Sequence, residues 1–158
     1  MIGDVQWPPG YSVVITDIPG VERLSDLPKR ERAAFLASVD ILAEAVEIAC
    51  SHLDPDFLRV NIEILGNTDT FLHAHIWPRY QWEEPGLRVK PVWLYPGTNW
   101  TDPVMAPNLS HDPLRLAIST QIHRLSSQLR IGLGNRMVIC QNRWWILSDN
   151  CITFSRRF

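Results

Sequence analysis

At 158 residues, with 46% apolar and 20% charged side chains and a formal net charge of −2, the chain has the make-up of one globular domain with its own hydrophobic core. This near-neutral balance supplies no basic field for a nucleic acid or an anionic membrane surface, and leaves room for a small anionic ligand held by a local site. Cys50, Cys140 and Cys151 are odd in number and share no close CxxC spacing, which argues against a disulfide framework and fits a reducing, cytoplasmic setting. The first residues are neither basic nor apolar enough for a secretory signal, and no run reaches the length of a membrane span.

In chain order, Trp7-Pro8-Pro9-Gly10 predicts a turn and the β-branched run Tyr11 to Thr16 a strand. Asp17-Ile18-Pro19-Gly20 is a second turn. Ser25-Asp26-Leu27-Pro28 then offers capping side chains and an early proline. From Arg30 to Cys50 the spacing of Leu36, Val39, Ala43, Val46 and Cys50 predicts a helix. Asp54-Pro55-Asp56 breaks it. Leu58, Val60, Ile62 and Ile64 alternate with Arg59, Asn61 and Glu63, the pattern of a half-buried strand over 58–65. After the Gly66-Asn67 turn a second strand, from about Thr70 to Arg79, sets Phe71, His73, His75, Trp77 and Arg79 on one face and Leu72, Ala74 and Ile76 on the other. The short connection favours an antiparallel hairpin.

Val92 to Tyr95 predicts a further strand, 98–111 a loop, and Asp112-Pro113 the start of a second helix marked by Leu114, Ile118, Ile122, Leu125 and Leu129. Residues 1–131 form the expected domain. A tail, 132–158, carries a hairpin around Ser148-Asp149-Asn150, with Trp144 and Trp145 in a core or interface. Helices and strands mixed around a largely antiparallel sheet make the class α+β, with one long helix on a face and a second, C-terminal one.

The chemistry lies in His73 and His75. Two residues apart on a strand, they project to one side, about 7 Å apart at the backbone. A neutral imidazole is a nucleophile near pH 7, and its N–H donates to phosphate oxygens. One such ring can attack phosphorus while its neighbour stabilises the charge on the non-bridging oxygens. His-x-His alone also suits an idle exposed strand, or a zinc site once a further ligand is found. His52, His111, His123 and the cysteines show no ligand spacing.

The whole stretch from Asn61 to Arg79 resembles the signature hairpin of the histidine-triad (HIT) superfamily. Ile76-Trp77-Pro78-Arg79 anchors the register, His75 becomes the last triad histidine and His73 the middle one, and Gly66-Asn67-Thr68 falls on the Gly-Gln-Ser/Thr turn. Pro9-Gly10-Tyr11 and Leu24-Ser25-Asp26-Leu27 resemble the same family, so the likeness covers about 8–96. It implies a HIT-like sheet and a nucleotide hydrolase, with a dinucleoside polyphosphate as the substrate class. In that reading His73 attacks the α-phosphorus to give a nucleotidyl-histidine, and His75 holds phosphate. Thr68 bonds the phosphate or leaving group, Asn67 and Asn61 hold the nucleotide, and Arg79 helps neutralise polyphosphate or is a solvated strand-end residue. Trp77 is expected to pack. The resemblance also implies a homodimer and no cofactor or obligatory metal.

Two features depart from the pattern. Phe71 occupies the first triad position, where it offers no conventional side-chain hydrogen bond. Only nine residues precede Gly10, where the family usually has an additional strand and nucleotide-pocket residues, so the expectation is a nucleobase pocket that is incomplete or supplied differently. Two alternatives therefore stand beside the hydrolase: a catalytically weak nucleotide-binding or regulatory protein that keeps the phosphate site, and a metal-binding domain using His73 and His75.

Overall fold

The computed structural model describes residues 5–133. Three strands, β1 (Ser12–Ile15), β2 (Phe57–Glu63) and β3 (His73–Tyr80), form an antiparallel sheet in the order β1-β3-β2. Two long helices, α1 (Lys29–Leu53) and α4 (Asp112–Leu133), account for most of the remaining regular structure, with short helical turns between β3 and α4, among them α2 (Pro85–Arg88) and α3 (Thr98–Thr101). The α+β architecture expected from the sequence is present. No helix among the described residues is long and apolar enough to cross a membrane.

Helix α1 buries Phe35, Val39, Leu42, Val46, Ala49 and Cys50, spaced at three and four residues, so its apolar stripe faces one direction. Phe35 takes the core position expected of Leu36, which is exposed. Pro28 precedes the helix, and the Asp54 N–H closes it on the Cys50 carbonyl. The expected capping group Asp26 instead accepts the backbone N–H groups of Glu22 and Arg23, one turn upstream. Beneath α1 lie Val14, Ala74 and Ile76 from the sheet and Leu72 from the residue before β3, and Ile118 and Leu125 from α4 close the layer. Each such aliphatic side chain, fully buried, contributes on the order of 1.5–3 kcal/mol before its ordering entropy.

Sheet order explains which apolar residues stay outside. Central β3 is buried almost throughout, whereas β2, among the described residues, pairs on one side only. Ile62 is directly opposite Ile76, yet it is 49% exposed. Leu58 and Ile64, expected on the same buried face, are exposed too. The expected strand at Val92–Tyr95 is instead a 3-10 turn over Val92–Leu94. Pro91 and Pro96 bracket it, lack ladder donors, and confine the chain to a tight excursion that still buries Val92 and Tyr95. Residues 98–111, expected as loop, contain α3 (Thr98–Thr101) and two 3-10 turns. The hairpin expected in the tail lies, from residue 134 onward, outside the described residues.

Candidate active site

The face of the sheet turned away from α1 carries the two histidines. Register fixes their neighbours: Val13 is opposite His75 on β1, Glu63 is opposite His75 on β2, and Asn61 is opposite Trp77. Opposed residues project to the same side, so Asn61 and Glu63 share the histidine face. Trp77, Tyr11, Val13 and Val92 form a small second core there, with Trp100 against it. Trp77 stacks on Tyr11 at 3.8 Å between centroids and 7° between planes, and its indole N–H donates to Glu63 at 3.0 Å. Trp77 packs, as expected.

The approach of Tyr11 is set by the preceding turn. Gly10 has φ +87°, and a Cβ there would lie 2.8 Å from the Cys50 thiol, so both the dihedral and the space call for glycine. Buried Gln6 accepts the Gly10 N–H and donates to the Tyr11 carbonyl, each at 3.2 Å. The Tyr80 hydroxyl donates to the Pro9 carbonyl at 2.7 Å. The turn therefore delivers Tyr11 to a fixed place beside His75.

Four groups then form a single line of hydrogen bonds. Nδ1 of His73 is 2.8 Å from the Phe71 carbonyl, Nε2 of His73 is 3.0 Å from Nε2 of His75, and Nδ1 of His75 is 2.7 Å from the Tyr11 hydroxyl. A carbonyl can only accept, so Nδ1 of His73 carries a proton. A neutral His73 then has a lone pair on Nε2, which accepts from Nε2–H of His75. That leaves Nδ1 of His75 to accept from the Tyr11 hydroxyl. With both rings neutral, one direction satisfies every member.

Electrostatics agree with a neutral His75. Burial, and then the proximity of His73, push the pKa of His75 down to about 4, with Asp69 acting weakly in the opposite sense. His73 is 5% exposed, poorly hydrated, and flanked by the Phe71 ring at 4.8 Å. Phe71 itself is 43% exposed, so the first triad position presents an apolar ring at the rim while its backbone carbonyl holds His73.

The remaining expected site residues divide. Asn61 is half-buried on the histidine face, and Asn67 and Thr68 are exposed in the β2–β3 connection. Arg79 is neither a solvated strand-end residue nor open to a polyphosphate. It is 4% exposed, and its guanidinium donates to Glu83, the Lys90 and Arg88 carbonyls and the Tyr95 hydroxyl. Its role is to fasten the chain following β3. Among the described residues no group of three or more His, Cys, Asp or Glu is placed to hold a metal. Cys50 is no rival nucleophile, because burial pushes its thiol up to about 11.

Tyr11 and the Phe71 carbonyl are the functional groups that sequence reasoning missed. Tyr11 was in principle findable: it shares alternation with Val13, so any pairing of β1 with β3 brings it to the histidine side. A backbone acceptor leaves no mark in the residue type.

The site is thus an antiparallel sheet backed by a long helix, with two strand-borne imidazoles on the opposite face, and histidine-triad proteins of known structure share this fold. Solved structures place the chain in that class of fold. A histidine triad (HIT) protein from Sinorhizobium meliloti 1021 matches with a TM-score of 0.53 at 18% identity, over 72% of this chain and 73% of that one. A histidine triad protein from Marinobacter aquaeolei VT8 matches with a TM-score of 0.50 at 20% identity, over 75% of each chain. No protein-family model and no curated protein matches the sequence.

Proposed function

We propose that this protein is a HIT-type nucleotide hydrolase that works through a covalent nucleotidyl-His73 intermediate. The observation that carries the reading is the line of hydrogen bonds itself: Nδ1 of His73 is committed to a carbonyl, and its Nε2 lies within hydrogen-bond distance of Nε2 of His75. In the first step, Nε2–H of His75 turns from His73 to a non-bridging phosphoryl oxygen, which frees the lone pair. Nε2 of His73 then bonds to phosphorus, and the bond from phosphorus to the leaving oxygen breaks with its electron pair. The resulting imidazolium keeps its Nδ1 proton on the Phe71 carbonyl, which offsets the positive charge. Water attacks phosphorus in the second step, the phosphorus–nitrogen bond breaks with its electron pair returning to Nε2 of His73, the attacking water gives up a proton to solvent, and a nucleoside monophosphate leaves with neutral His73 restored.

Within this reading Thr68 and Asn67 contact phosphate from the β2–β3 connection, and Asn61 holds the nucleotide from β2. A dinucleoside polyphosphate is the substrate class and a homodimer the assembly that the family resemblance supports. Arg79 is not assigned a part, because its donors are already engaged by protein groups. The test is hydrolysis of a panel of dinucleoside polyphosphates and nucleoside phosphoramidates by wild type and His73→Ala. Loss of turnover by at least a hundredfold is expected, and equal rates would refute the assignment.

A second reading rests on Phe71, which removes a polar group from the first triad position. It makes the protein a nucleotide binder with little turnover. Tight nucleotide binding by wild type, with no hydrolysis and no trapped histidine adduct, would select it.

A further inference from the structure

The histidine pair needs its rings in one particular tautomeric order, and something must impose it. An isolated neutral imidazole can carry its proton on either nitrogen. If His75 carried it on Nδ1, two lone pairs would face each other across the 3.0 Å between the Nε2 atoms, and no donor would be available for a phosphoryl oxygen. The Phe71 carbonyl fixes His73 at one end of the line. At the other end stands Tyr11.

We propose that Tyr11 is a positioning residue, whose hydroxyl holds His75 in the Nε2–H form and so keeps its donor aimed at His73 and at an incoming phosphoryl group. The role in turnover rests on the hydrolase reading above; the tautomer assignment does not. The geometry favours it on three counts. The hydroxyl lies 2.7 Å from Nδ1 of His75. The Tyr11 ring is held between its stack on Trp77 and the anchored turn at Gln6 and Gly10, so the hydroxyl is fixed at little entropic cost when His75 binds substrate. It comes from the residue just before β1, far in sequence from the histidines, and so supplies a polar side chain to the pair where the side chain of Phe71 supplies none.

Tyr11→Phe removes the hydroxyl and keeps the ring on Trp77. Nitrogen-detected NMR of histidine-labelled protein reads the tautomer of each ring directly. In wild type His75 is expected to show a protonated Nε2 and a bare Nδ1; in Tyr11→Phe it is expected to show a mixture of the two forms. The same variant is expected to lower kcat about tenfold with KM nearly unchanged, the effect of losing one hydrogen bond that orients a group acting in the transition state. A wild-type His75 protonated on Nδ1 overturns the proposal without any variant, and so does a Tyr11→Phe protein whose His75 stays wholly in the Nε2–H form. If His73→Ala hydrolyses normally while Tyr11→Phe mixes the tautomers, the hydrolase reading fails and the positioning role of Tyr11 stands.

Discussion

Replacing Glu83 by Gln isolates the interaction that removed Arg79 from the list of phosphate ligands. The side chains of Arg79 and Glu83 are 5% and 0% exposed, and their closest approach is 2.9 Å. Glu83 also accepts the Tyr80 N–H at 2.6 Å and the Tyr95 hydroxyl. Arginine cannot shed its proton, so Glu83→Gln leaves a buried guanidinium facing two carbonyls, a phenol and a neutral amide. Removing one partner of a buried ion pair costs about 3–5 kcal/mol, and Gln preserves volume and one acceptor oxygen, so the lower end applies: about 3 kcal/mol. For a chain of this length that corresponds to a fall in Tm of about 6–12 °C. Calorimetry and urea unfolding measure it, with an unchanged urea slope showing that the folded state is otherwise intact. The double variant Arg79→Met with Glu83→Leu removes both charges but leaves the Tyr80 N–H, the Tyr95 hydroxyl and the Arg88 and Lys90 carbonyls without these partners, so it is expected to stay destabilised by about 3 kcal/mol or more. A loss below about 1 kcal/mol for Glu83→Gln would show that the guanidinium is solvated, and would reopen Arg79 to an anionic ligand.

Two further outcomes follow from the geometry around the histidines. The pKa of His75 lies near 4 in the folded protein and at an ordinary 6.5 when unfolded, so between these values the unfolded chain binds the proton that the folded chain refuses. Stability therefore falls as pH drops from 6.5 toward 4 and levels off below; with solvent screening of this partly open ring the loss is about 1–2 kcal/mol. His75→Asn should flatten that limb in urea titrations run across the range, and superimposable curves for the two proteins would sink the assignment. Gly10→Ala must accommodate a methyl group 2.8 Å from the Cys50 sulfur at a left-handed φ, at a cost of about 2–3 kcal/mol. Denaturant midpoints check this, and a neutral effect would mean that the turn relaxes freely.

Periodic elements were legible from the residues. The α1 stripe, the β2–β3 pairing and the start of α4 at Asp112 all follow from spacing, because burial on one side of a regular element repeats at that element's own period. Edges were less so: alternation places Ile62 toward the helix side, but only the strand order reveals that β2 is an outer strand among the described residues, and Ile62 there stays half exposed. At Val92–Tyr95 the apolar content correctly signals burial, while the flanking prolines decide the backbone. The histidines were found because a short motif encodes them locally. Arg79 was misplaced because its partner Glu83 lies beyond the strand, in a turn whose path no period describes. Tyr11 was overlooked as a site residue because its meaning depends on a pairing between strands more than fifty residues apart in sequence.

The hydrogen bond from His73 to position 71 ends on a peptide carbonyl, and so any residue at that position would orient the ring equally well. The side chain at 71 is thereby released from holding its neighbour and is free to vary for what it touches outside. With phenylalanine there, about two-fifths of the residue's surface faces solvent beside the candidate nucleophile. An approaching molecule would meet an aromatic surface before it met an imidazole, which makes this position a natural place to alter selectivity without disturbing the histidines behind it.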